Sequence, residues 1–426
     1  CLEELNIMPQ IKRLGGSSAG ALTAALVALG YTSEDIREFM TENIEKVLLD
    51  HMCGCLSLLP NLFRRWGWNP GDRIYEWLGD KIKAKTESKN PDLTFFELYQ
   101  EKGIELCVVV TNLNQMRSEY CHPKTTPDMT IREALRMTIS IPGIFMARFY
   151  DNYGQRDTYV DGGVLCNYPI HCFDGWYLSM EKDDAFLLRM QNLRELPRTC
   201  SVKNTFDSLN IKTLGFLLYD DTENEIMRYS LEQRIGSLTP DEPIRCTKLY
   251  RKLRKTEIKN EFEREHSRCL KAAESFMRAL YKHNLHGQVV ISKQQLKDAL
   301  EDESVFPRED KELLFGINIS VDDAFEILDK DSNGQSYSVW QNRIHGYERM
   351  EISSLLDFVF ALQKAWLINM KKVYAVDGDI NRTVGINTGH IGTSNYILED
   401  EDRDFLVKVL DFLLLLSLWL TTTGFS

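Results

Sequence analysis

Two short stretches hold residues that could act together on an ester. One is Gly16-Ser17-Ser18-Ala19-Gly20, a G-x-S-x-G pattern; the other is Tyr159-Val160-Asp161-Gly162-Gly163-Val164, which ends an apolar lead-in with a carboxylate at a glycine turn. A serine hydroxyl is a poor nucleophile until a base takes its proton. Ser18 and Asp161 are therefore read as nucleophile and base. His171, ten positions after Asp161, is the competing base of a Ser–His–Asp arrangement. Either motif arises by chance roughly 0.1 times in a chain this long, so the flanking elements decide.

Those elements suit the chemistry. Residues 11–14 are strand-like, residues 21–29 are small and apolar at helical period, and Gly30 stops them. Strand, sharp turn and helix in that order make a nucleophile elbow. Such a turn requires Gly16 and Gly20 to lack a large Cβ group. Ser18 then stands at the tip, beside a helix N-terminus whose unpaired N–H groups favour an oxyanion. The Ala19 backbone N–H is the named donor.

Further along, residues 104–111 (IELCVVVT) read as a strand buried on both faces. Strands are also expected at 186–190, 214–218 and 384–387. Helices are expected at the end of 1–7 and over 36–49, 73–84, 93–101, 131–138, 261–285 and 402–420. Alternation of strand and helix predicts an α/β fold, a sheet of mostly parallel strands sandwiched by helices. The charged, helical texture of the middle divides the chain into a first part of the α/β domain over 1–222, a mainly helical insertion over 223–352, and a last part over 353–426.

The totals fit a globular protein: 43% hydrophobic and 27% charged residues, with a formal net charge of −12. That balance argues against a nucleic-acid partner, since phosphate contacts need a basic surface. The ten cysteines include no Cys-x-x-Cys pair, so buried, reduced thiols are expected rather than a zinc ribbon. No signal peptide opens the sequence. The expected location is cytoplasmic or membrane-peripheral.

Asp329-Lys330-Asp331-Ser332-Asn333-Gly334 matches the first half of an EF-hand loop, but its twelfth position is Trp340 instead of glutamate. With the stretch around Gly287 it reads as a degenerate EF-hand pair, a scaffold without metal. Weak calcium binding at Asp329, Asp331 and Asn333 is the alternative. Residues 63–68 (FRRWGW) mix rings with cations, which suits a membrane interface, a lid or a packed loop. The basic run 248–255 is read as a solvated helix face. Residues 412–420 are too few for a span of about 20 apolar residues and are expected to dock on the core.

Taken together, these blocks resemble the patatin-like phospholipases, lipid acyl hydrolases with a Ser–Asp dyad. The resemblance is carried in order by GGSSAGALTAAL, WGWNPGDRIYEWL, TFFELYQEKGIELCVVVTNL, TIREALRMTISIPGIF and YVDGGVLCNYPI, then by TLGFLLYD and RTVGINTGHIGTSNYILEDEDRDFL. It implies that Ser18 is the nucleophile and Asp161 the general base, with no cofactor. The substrate would be a phospholipid or other lipid ester cleaved by phospholipase A-type chemistry, with peripheral membrane contact. The family's glycine-rich oxyanion loop does not precede the elbow in this sequence, so the remaining donors are expected upstream of Cys1. The alternative is a catalytically impaired storage, structural or lipid-binding protein on the same scaffold.

Overall fold

One strand organises the site-bearing part of the chain. In the computed structural model β3 (Glu105–Asn112) is buried along its whole length. The structure describes residues 2–41, 47, 50, 66–152, 154–189, 205–219, 247–252, 261–283, 292–328, 352, 358, 361–362, 365–366, 377–392 and 398–407. In chain order the first elements are β1 (Arg13–Ser17), α1 (Ala19–Leu29), α2 (Ser33–Thr41), β2 (Gly67–Asn69), α3 (Asp72–Lys85) and α4 (Phe95–Lys102). After β3 come β4 (Arg117–Cys121), α5 (Ile131–Thr138), β5 (Gly143–Phe145), β6 (Arg148–Asn152) and β7 (Gln155–Asp161). Then follow α6 (Phe186–Arg189) and β8 (Gly215–Tyr219).

Alternation along β3 feeds two clusters. Leu106, Val108 and Val110 pack with the alanine-rich α1 and with Ile74, Leu78, Phe95, Leu98 and Leu135. Cys107 and Val109 pack with Tyr120, Cys166, Cys172 and Leu178. Fully burying a side chain such as Phe95 or Leu106 contributes about 1.5–3 kcal/mol, so both faces of β3 are fixed by apolar contact.

The pairing register explains how two remote residues meet. Val108 and Val109 pair with both β1 and β4, so those strands lie on opposite edges of β3. Val110 to Asn112 pair with both β4 and β7, which puts β7 on the edge that β1 occupies. Strand β1 runs parallel to β3 and ends with Ser17 opposite Val109; β7 runs antiparallel and ends with Asp161 opposite Val110. The two strands therefore meet head to head.

The α/β class is as expected, and the strand directions refine it. Parallel pairing joins β1 to β3 and β2 to β5. Strands β4, β7 and β6 join antiparallel; for β3 to β4 and β6 to β7 the connecting turns of a few residues cannot carry a crossover.

Two local expectations are corrected. The predicted strand at 186–190 is the helix α6; its run is rich in leucine and lacks β-branched residues, which favours helix. The predicted helix end at 1–7 is a set of turns over 2–6, closed by Asn6 at φ 53° and followed by a 3₁₀ turn, Met8–Gln10.

The chain divides into two compact units: residues 1–217 with 362–384, and residues 218–361 with 385–426. In the second unit lie α7 (Glu261–His283), α8 (Lys293–Glu301), α9 (Arg308–Phe315) and α10 (Val321–Leu328). They share a core around Phe276, Phe306 and Phe315. A late strand, β9 (Thr383–Asn387), pairs with β8. Among the described residues, no helix is long and apolar enough to cross a membrane.

Candidate active site

The site grows from the end of β1. Ser18 is the N-cap of α1, at φ 52° and ψ −128°. A non-glycine residue held in so rare a region costs about 1–3 kcal/mol and persists only where its surroundings over-determine it. Two partners do so here. The Ser18 N–H donates to Thr138 Oγ1 at 2.9 Å, and the Ser18 Oγ donates to Asp161 Oδ2 at 2.6 Å.

Gly16 and Gly20 play unequal parts. A Cβ on Gly16 would lie 2.4 Å from the Gly20 carbonyl carbon and 2.6 Å from the Ala21 nitrogen, so strand and helix backbones touch there. A Cβ on Gly20 would meet nothing within 4 Å. The steric requirement expected of both glycines thus applies to Gly16 alone.

Asp161 is 3% exposed. Its Oδ1 accepts the Gly163 N–H at 2.6 Å, which leaves Oδ2 for Ser18. Burial pushes its pKa up to about 7, while the bonds from Ser18 and Gly163 pull the other way. Close approach bears on both glycines after it, against backbone at Gly162 and against side chains at Gly163. A Cβ on Gly162 would lie 2.1 Å from the Val109 carbonyl oxygen, and one on Gly163 would lie 2.9 Å from Asp161 Oδ1.

The first turn of α1 faces the same serine. Ala21 is the first residue of the helix whose N–H bonds back, to the Ser18 carbonyl at 3.0 Å. Among the described residues the Ala19 and Gly20 N–H groups have no such bond. They are the unpaired donors that every helix start presents.

His171 is not brought to Ser18. Its Nε2 pairs with the Tyr120 hydroxyl at 2.7 Å, and its ring packs edge-on against Phe206. Burial holds its pKa down at about 4, so it stays neutral near pH 7. The triad reading gives way to a buried histidine tied to an aromatic cluster.

Other predicted positions sort simply. Asp329, Asp331 and Asn333 lie outside the described residues, as do 63–65 and 412–420. Trp66 is exposed and packs at a tilt against Phe149, over which Arg156 also lies. Trp68 is part of β2. Among the described residues, no group of three or more His, Cys, Asp or Glu is placed to hold a metal ion.

Two residues of α5 near the site were not singled out from sequence. Arg136 of α5 is 1% exposed and donates to the Pro70, Gly71 and Met146 carbonyls and to Ser140 Oγ. Asp50 accepts the N–H groups of Gly71, Asp72 and Arg73 from the same turn. Burial lowers the Arg136 pKa to about 10, which leaves it charged at neutral pH. The Asn-Pro-Gly-Asp turn is therefore gripped by its carbonyls and by its amides, and α5 is fixed with it. The other residue is Thr138, at the end of α5. Both sit in the quoted block TIREALRMTISIPGIF, yet a buried arginine and a helix-end threonine have no spacing signature.

A family model described as patatin-like phospholipase matches residues 2–174, the stretch that carries both Ser18 and Asp161. The uncharacterized protein YqhO of Bacillus subtilis (strain 168) is 32% identical over 210 residues, 46% of this chain and 67% of that protein. The uncharacterized protein R571 of Acanthamoeba polyphaga mimivirus is 33% identical over 165 residues, 38% of this chain and 51% of that protein. A protein named probable lipid hydrolase 463L, of Invertebrate iridescent virus 6, is 28% identical over 157 residues, 36% of this chain and 50% of that protein. The chain thus spans about half the length of two of these relatives and two thirds of the third. The crystal structure of VipD from Legionella pneumophila aligns with 98% of this chain and 62% of its own, at 15% identity and a TM-score of 0.38. The chain belongs to the patatin-like phospholipase family.

Proposed function

We propose that this protein is a serine acyl hydrolase of lipid esters, working through Ser18 and Asp161 without a cofactor. One observation carries the reading: the hydrogen bond of 2.6 Å from the hydroxyl of an elbow serine to a buried carboxylate. The family membership and the name of the iridescent virus relative support the substrate class.

The proposed chemistry follows from the groups present. Asp161 Oδ2 takes the Ser18 proton as Oγ bonds to the ester carbonyl carbon. The displaced electron pair settles on the carbonyl oxygen, against the Ala19 and Gly20 N–H groups at the start of α1. Collapse breaks the ester C–O bond, and the departing alcohol takes the proton from Asp161. Water then attacks the acyl-serine with Asp161 again as base, releasing the fatty acid and restoring Ser18. An ordinary carboxylate is a poor base; one raised by burial to about 7 is suited to work at neutral pH. In this reading the catalytic domain is built from 1–222 and 353–426. The substrate is a phospholipid or related ester met at a membrane surface, with the exposed Trp66 among the contacting residues.

Incubation with a fluorophosphonate probe and with phosphatidylcholine vesicles tests the proposal. Stoichiometric labelling at Ser18, and fatty-acid release lost in Ser18→Ala, are expected. Folded protein that leaves Ser18 unlabelled, or a Ser18→Ala variant as active as wild type, would overturn it in favour of a non-catalytic lipid-binding or storage role.

A further inference from the structure

The bond that holds Ser18 from its backbone side is assigned to none of the chemistry above. Thr138 is fully buried. Its hydroxyl donates to the Val109 carbonyl at 2.6 Å and accepts the Ser18 N–H at 2.9 Å. A hydroxyl has one proton, and here that proton is committed to Val109. Its lone pairs are thereby turned to Ser18, so the polarity of the contact is set by β3.

The place of this contact matters. Val109 pairs with Ser17 in the last register position of β1, just before β7 takes over the same edge at Val110. Thr138 fills that junction from α5 and reaches the nucleophile residue itself. We infer that Thr138 is a positioning residue for Ser18: its hydroxyl fixes the peptide plane between Ser17 and Ser18, and so aims the Ser18 Oγ at Asp161. The contact also removes the Ser18 N–H from the oxyanion donors. This inference rests on the proposed Ser18–Asp161 chemistry.

Ser18 is held at φ 52°, where few side-chain or backbone settings are stable without support. Without the bond to Thr138 the peptide can rotate, and rotation swings the Cα–Cβ bond away from Asp161 Oδ2. Misplacement of a reacting atom by about 1 Å costs on the order of 100-fold in rate.

The test compares wild type, Thr138→Val, Thr138→Ser and Ser18→Ala in the full chain. Hydrolysis of a p-nitrophenyl ester gives kcat and KM; hydrogen exchange is read on peptides spanning residues 14–24. Thr138→Val keeps the shape and removes the hydroxyl. It is expected to lower kcat roughly 10- to 100-fold with KM nearly unchanged, and to raise amide exchange at the elbow. Thr138→Ser is expected to restore both to within a few-fold. A folded Thr138→Val with wild-type kcat would overturn the inference, as would equal losses in the Val and Ser variants. Should Thr138→Val unfold, Thr138→Ser decides by itself: its melting temperature and kcat must both stay near wild type. Activity surviving in Ser18→Ala would instead defeat the underlying reading, so the two failures are distinguishable.

Discussion

Ser17 and Asp161 stand opposite consecutive residues of one strand, Val109 and Val110. The next residue after Ser17 is the nucleophile candidate, and its hydroxyl reaches the carboxylate across a sequence separation of 143. The meeting is thus enforced by backbone pairing on β3 and by the turns that end β1 and β7, with side-chain contacts adding the final aim.

The carboxylate should govern the pH profile. With Asp161 raised from 3.8 to about 7, kcat/KM is expected to rise with pH and to reach half its plateau near pH 7. Asp161→Asn, which cannot accept the proton, should lose on the order of 10²–10⁴ in kcat. Initial rates from pH 5 to 9 check both statements.

The same burial should appear as a cost in stability, with a definite sign. The folded pKa of Asp161 lies above the ordinary carboxylate value, so the folded state prefers the protonated form. The penalty is absent below about pH 4, grows as pH rises, and is complete above about pH 7. The stability of Asp161→Asn relative to wild type should therefore increase by on the order of 2–4 kcal/mol between pH 4.5 and pH 8. Urea denaturation of both proteins at the two pH values measures it; a difference that does not change with pH would contradict the raised value.

The two elbow glycines should respond oppositely to alanine. Gly16→Ala puts a Cβ 2.4 Å from backbone and should destabilise by roughly 3 kcal/mol or more. Gly20→Ala meets open space on a helix, where alanine is favoured by up to about 1 kcal/mol. Thermal melts should fall sharply for the first and hold or rise for the second.

Arg136 should be sensitive even though it touches no reacting group. Arg136→Met removes four hydrogen bonds and leaves the Pro70, Gly71 and Met146 carbonyls buried without that donor. A loss of roughly 3–5 kcal/mol is expected, measured by chemical denaturation. Lysine should rescue little, because a single ammonium cannot reproduce the planar fork.

Much of this was legible in the residues. The elbow, the helix over 131–138 and the buried strand around 105–112 each announce themselves by period and composition, and observed bounds fall within a few residues of those expected. What sequence could not supply was direction. That β7 runs against β3, and that β1 and β7 share an edge, depends on pairing between stretches remote in the chain. Gly16 and Gly20 look equivalent in the motif, and only the close approach of β1 to α1 separates them. The four leucine- and phenylalanine-rich residues of α6 are too short a run for periodicity to distinguish strand from helix.

Arg382 grips Asp174 with two bonds, at 2.6 and 2.5 Å, and also holds Asp379. All three side chains are buried, in the unit that carries Ser18 and Asp161. During synthesis Asp174 leaves the ribosome some two hundred residues ahead of its guanidinium partner. Until residue 382 emerges, that carboxylate has no guanidinium partner, so closing this buried ion pair waits on a residue made long after Ser18 and Asp161.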